Sequence, residues 1–349
     1  MACPQCQAPL AASDLNCTNC HYLVHSAELK SLAQQAQSAA DTGDLSTALA
    51  CWRKALELLP ENSKQYAAIQ AKLAELSDRL QQSGNSPTGA EGKAATPKTP
   101  WGIIAAVVIF VITKGKFLLL GLSKSSTLFT MLLAFGVYWT AWGWQFAGGI
   151  VLCTYIHEMG HVAALRHFGI PASAPMFLPG LGAIVRMKQY PATPSEDAYV
   201  GLAGPIWGLG ASCATYALYL WTQNPLFAAL THLNSLINVF NLMPLFSLDG
   251  GRGFRALTSS QRWLAVLALG IAWYYTHDGL LLLVLIVAAA KTLAGAAPEK
   301  PDQSALVKYV LLVAALMTLS AITEPIARAA TAPPANTAPA ANTAPAPAN

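Results

Sequence analysis

The chain has 349 residues, 54% hydrophobic and 11% charged, with a formal net charge of +4. Soluble domains carry about a quarter charged residues, so this composition excludes an ordinary soluble globule, and the small positive balance argues against a nucleic-acid surface. Apolar residues gather in runs after Trp101 while the chain before it is polar. That pattern predicts a soluble front part followed by a polytopic, mainly α-helical membrane part.

In chain order, residues 1–25 hold Cys3, Cys6, Cys17 and Cys20 as two C-x-x-C pairs. Each pair can turn two thiolates toward one tetrahedral zinc, and the stretch resembles a zinc ribbon. Reduced thiolates place this end in the cytosol. Residues 26–82 are rich in Ala, Leu, Gln, Lys and Glu at helical spacing, with a turn at Ala40–Asp44 and a third helix over Tyr66–Leu80. They resemble one tetratricopeptide-like unit, and a plain helical hairpin fits equally; either is a candidate docking surface for a protein partner. Residues 83–100 read as a flexible linker. Residues 101–323 read as the membrane domain, and the Pro/Ala-rich stretch 324–349 as a disordered tail.

The apolar runs amount to about six or seven membrane segments. Lys124, Arg166, Lys188, Arg252, Arg255, Arg262, Lys291 and Lys300 fall on one side if the spans alternate, and the positive-inside rule makes that side cytoplasmic. Trp139, Trp142, Trp144, Trp221, Trp273, Tyr274 and Tyr275 collect on the other side as an aromatic belt. With the ribbon inside, Trp101–Leu122 must enter and leave on the same face. The localisation expected is a bacterial inner membrane, with the front domain and the chemistry toward the cytoplasm.

The chemistry sits in Phe146–Leu165, which carries His157-Glu158-Met159-Gly160-His161. On a helix, positions four apart share a face, so both imidazoles can grip one metal ion while Glu158 reaches its water. Ionisable groups in a membrane segment are expensive and point to function. A third ligand is needed. His232, His167, His25 and His277 are candidates; Asp249 is the better one, because it follows a span that ends on the same side as His161 and is flanked by Pro244, Gly250 and Gly251.

The H-E-x-x-H together with Asn241-x-x-Pro244-x-x-x-Leu248-Asp249-Gly250-Gly251 resembles the site-2 protease family of intramembrane zinc metalloproteases, over roughly Lys116–Ala297. The resemblance implies zinc on His157, His161 and Asp249, Glu158 as the group that activates water, and Asn241 in a supporting polar role. The two C-x-x-C pairs of the ribbon add a second, structural zinc. The resemblance also implies a β-hairpin in Ala174–Tyr190 beside the site, where Ala183–Met187 suits a short strand. Ala203-Gly204-Pro205 matches a further family feature, but Gly208 stands where the family carries Asn. Asn238 or Asn241 can supply that amide, and a helix-packing hydrogen bond fits Asn238 equally. The implied activity is cleavage of single-pass membrane proteins within the lipid bilayer. A catalytically silent member that binds membrane segments is the alternative, and the intact Glu158 argues against it.

Overall fold

The computed structural model describes residues 2–11, 14–20, 22–85, 125–180, 182–185, 187, 189–245 and 248–331. Among them are eleven helices and one two-stranded sheet. The rest of the expected linker and the segment Trp101–Leu122 lie outside the described residues.

The front part is a ribbon followed by three helices, α1 (Ser26–Asp41), α2 (Leu45–Glu57) and α3 (Lys64–Asn85). The expected turn between α1 and α2 is present. Gly43 takes φ 81°, and Asp44 caps α2 by accepting from the Thr47 amide at 3.1 Å. The expected third helix is present as α3, which packs on α2 and runs three residues beyond the expected boundary at 82.

The second part comprises α4 (Ser125–Trp142), α5 (Trp144–His167), α6 (Pro194–Thr222), α7 (Pro225–Asn241), α8 (Asp249–Arg255), α9 (Ser259–Thr276), α10 (Gly279–Ala294) and α11 (Gln303–Thr331). Helix α6 is central and packs against α5, α7, α8 and α11. Between α5 and α6 lie β1 (Met176–Leu178) and β2 (Gly182–Ile184), antiparallel with Phe177 opposite Ala183. The hairpin expected in Ala174–Tyr190 is therefore present, its second strand starting one residue earlier and ending sooner than Ala183–Met187. The last helix runs to Thr331, past the boundary expected at 323. The helix carries on through Pro325, and Glu324 and Arg328 pair one turn apart across it.

By length and apolar composition alone, one helix among the described residues qualifies to cross a membrane, Gln303–Ala329; Gly279–Ala294 is a shorter apolar helix. The other helices are less apolar for a physical reason. Helix α5 carries His157, Glu158 and His161, and α7 carries Thr231, His232, Asn234, Ser235 and Asn238. Their outward faces are nonetheless apolar in several places: Phe129, Leu132 and Leu133 on α4, Leu264, Leu267 and Ile271 on α9, and Leu283 and Ile286 on α10 are all exposed. At one end of the bundle Arg252 and Arg255 both pair with Asp197. At the other, Trp142, Trp144, Trp221, Tyr274 and Tyr275 are exposed.

The two parts share one core. Leu49, Trp52 and Leu73 of the front helices cluster with Leu165, Phe168, Ile170 and Val200 of the bundle. Burial also draws the Arg53 guanidinium below its usual pKa, and the charge of Glu196 opposes that. Truncating Leu49, fully buried in this shared cluster, to Ala is expected to cost about 2–5 kcal/mol. Amide exchange across α1–α3 measures it, and faster exchange in these helices than in the wild type is the expected result.

Candidate active site

Helix α5 begins at Gly143, whose φ of 80° turns the chain out of α4, and it carries His157 and His161 one turn apart on its inner face. Both imidazoles are buried, and so is Glu158, at 6% exposure. Asp249 arrives from the first position of α8. Gly250 lets it in, because a Cβ there would lie 1.8 Å from the Leu242 carbonyl oxygen.

The imidazoles are oriented by their outer nitrogens. His161 Nδ1 lies 2.8 Å from the Val200 carbonyl oxygen, which can only accept, so this nitrogen carries the proton. His157 Nδ1 lies 2.8 Å from Asn238 Oδ1. The Asn238 amide nitrogen donates to the Asn234 carbonyl at 2.8 Å, which turns its oxygen toward His157 and makes His157 the donor. Both Nε2 atoms are thereby left with lone pairs, and both face Asp249. The separations are 3.0 Å from His157 Nε2 to Oδ2, 3.2 Å from His161 Nε2 to Oδ1, and 3.2 Å between the two Nε2 atoms.

Three electron-rich atoms that converge with their protons pointed away repel one another, and a cation relieves that repulsion. His157, His161 and Asp249 can therefore hold a metal ion, and two imidazoles with one carboxylate suit zinc with a position left over. The space is reserved for it on the α6 side, where a Cβ on Gly204 would come within 2.2 Å of His161 Nε2.

Around this centre is a cavity of about 1090 Å³. Glu158 and Asn241 line it, as do Ala183 and Ile184 of β2, Tyr190 and Arg252. The hairpin is held in place from below. Thr127 donates to the Pro175 carbonyl at 2.9 Å, the Phe177 amide donates to Thr130 at 3.2 Å, and Phe177 stacks on Tyr155.

Residues 145–225 match the model of Peptidase family M50. The matched stretch holds the H-E-x-x-H and Ala203-Gly204-Pro205. Over 111 residues the chain is 29% identical to "Zinc metalloprotease MJ0392" of Methanocaldococcus jannaschii, a match that covers 30% of this chain. The chain spans about a third of the length of that curated relative, 32%. No solved structure matches the chain. The family match agrees with the resemblance drawn from the motifs, and it leaves Asp249 and the front helices to be argued from geometry.

The expected ligand sets are brought together. His157, His161 and Asp249 form one cluster, and Cys3, Cys6, Cys17 and Cys20 form another, with every donor atom of a cluster within 4.8 Å of the others. The four cysteines are not in disulfides, and Cys3–Cys20 and Cys6–Cys17 approach to 3.6 and 3.5 Å. Asn241 reaches the cavity wall, but the amide that touches an imidazole is Asn238. Gly208 explains the arrangement: a Cβ there would lie 1.9 Å from Asn238 Oδ1. The missing side chain on α6 makes room for an amide delivered from α7.

Replacing Asn238 by Leu removes the acceptor that fixes the His157 tautomer. A metal at the His/Asp centre should then be held about 10–100-fold more weakly, read as release to a chelator. Asn238→Asp keeps an acceptor and should retain the metal.

Proposed function

We propose that this chain is a zinc-dependent intramembrane endopeptidase that hydrolyses peptide bonds in or near the membrane segments of single-pass proteins. The observation that carries the reading is the convergence of three deprotonated ligand atoms beside Glu158, in a cavity within a helix bundle whose outer faces are apolar. The match of residues 145–225 to a peptidase family supports the same chemistry.

His157, His161 and Asp249 would hold the ion, and it would supply Lewis acidity toward water and the scissile carbonyl. Glu158, adjacent to His157 in sequence and facing the same cavity, takes the proton from the attacking water and returns it to the leaving amine. Asn241 offers an amide at the cavity wall for the substrate backbone. A helical substrate hides its carbonyls, so it must unwind. Among the described residues strand β2 pairs with β1 on one side only, and its other edge can hold an extended segment by strand addition. The four cysteines would hold a second, structural zinc.

The membrane reading places about six or seven segments of the chain in the bilayer. The Arg252–Asp197–Arg255 end faces the cytoplasm and the Trp/Tyr end the far side. Water and protons then reach Glu158 from the cytoplasmic end.

Replacing Glu158 by Gln in the purified full-length protein, offered a panel of single-span substrates, should lower cleavage by about 10²–10⁴-fold while zinc stays bound. Cleavage at the wild-type rate overturns the mechanism. Asp249→Ala should lose the zinc of the His/Asp centre and keep that of the cysteine cluster; retention of both rules Asp249 out as a ligand.

A further inference from the structure

Arg53 lies on α2 in the front helices, where an exposed Lys follows it in sequence, yet it is only 3% exposed. Its guanidinium spans three partners in the bundle. Nε donates to the Phe168 carbonyl at 3.0 Å, Nη1 donates to the Tyr190 carbonyl at 3.3 Å, and Nη2 bonds the Glu196 carboxylate. Glu196 is fully buried and also accepts from the Ser77 hydroxyl of α3 and from the Ala192 amide, each at 3.0 Å. The contact is reciprocal, because Gln189 donates to the Arg53 carbonyl at 3.2 Å and to Glu57 at 2.7 Å.

Burying two opposite charges costs several kcal/mol before their attraction is counted, so such a pair is a poor means of simple attachment. Attachment is already provided by the apolar cluster of Leu49, Trp52, Phe168 and Ile170. What the planar fork adds is fixed direction. Apart from the Phe168 carbonyl, at the C-terminal end of α5, what it fixes belongs to one short segment and its flanks. Gln189 and Tyr190 are bonded to α2, and Ala192 to Glu196. Thr193 caps α6 by accepting from the Glu196 amide at 3.1 Å. Tyr190, Pro191, Ala192, Thr193 and Pro194 in turn line the cavity that holds His157, Glu158 and Asp249.

We propose that Arg53 is a positioning residue through which the front helices set the shape of the cavity mouth at Gln189–Pro194, the wall an unwound substrate segment passes to reach the metal centre. The front unit is then a working part of the active-site mouth rather than a module carried on a tether. Loss of the clamp loosens that wall and weakens substrate capture, while the metal centre on α5 and α8 is left intact.

Arg53→Met alone strands Glu196 in the core without its partner and is expected to destabilise the fold. The informative variant is Arg53→Met with Glu196→Gln, which removes both charges and keeps an acceptor for Ser77 and Ala192. In the full-length protein this variant should retain zinc and show amide exchange at Gln189–Pro194 faster by about tenfold or more. With the single-span substrate that the wild type cuts fastest, KM should rise several-fold while kcat stays within about twofold, the signature of lost binding rather than lost chemistry. Wild-type exchange across this segment overturns the proposal, and so does faster exchange with KM unchanged. Only the kinetic arm rests on the peptidase reading. If the wild type cuts nothing, that reading fails while exchange still decides whether Arg53 orders the mouth.

Discussion

Two hydrogen bonds on the far side of the imidazoles govern what the rest of this structure can do. His161 gives its Nδ1 proton to the Val200 carbonyl, and His157 gives its own to Asn238. Neither acceptor belongs to the helix that carries the histidines, so helices α6 and α7 must both be in register with α5 before either Nε2 lone pair points inward. The cation site is thus a product of three-helix packing. A helix bearing the same motif in isolation would present two imidazoles free to choose either tautomer.

That packing is itself polar where an apolar bundle would be expected to be dry. From His157 the bonds continue to Asn238 and Asn234. Asn234 reaches the Gly208 carbonyl at 3.0 Å and Ser212 at 2.8 Å, Ser235 reaches Ser212 at 3.1 Å, and Thr215 meets Thr231 at 2.8 Å. Each group satisfies another, so little desolvation cost is left unanswered. Such a ladder sets the axial register of α6 against α7 in a way that interchangeable Leu contacts cannot. The apolar groups, by contrast, line the outside: the residues that would be a folding error in water are the ones that face lipid in the reading proposed here.

Much of this was legible in the residues. The i, i+4 histidines, the Asp after a helix-ending Pro, the paired cysteines and the turn at Gly43 are local signals, and each appears where it was expected. The length of α11 was not legible, because Pro325 and the Pro/Ala-rich composition that follows read as a helix stop. The role of Arg53 was not legible either. On α2 it reads as one more charge on the polar side of an amphipathic helix, and its partner Glu196 lies 143 positions away in the chain. The same limit applied to Asn238. With Gly208 in place of an Asn, two downstream amides were open; in the structure Asn238 binds the outer nitrogen of His157 while Asn241 lines the cavity.

The pairing of Gly208 with Asn238 also constrains the routes by which this protein can change. The two positions occupy one volume, so a side chain can be regained on α6 only after the amide on α7 has been given up. Losing that amide first loosens His157, while adding bulk at 208 first forces the helices apart. Either order passes through an impaired intermediate, so the two positions are expected to move together among descendants of this chain or not at all. A chimera that exchanges α6 without α7 inherits the same conflict, which makes the helix pair, rather than the single helix, the smallest transferable unit of this site.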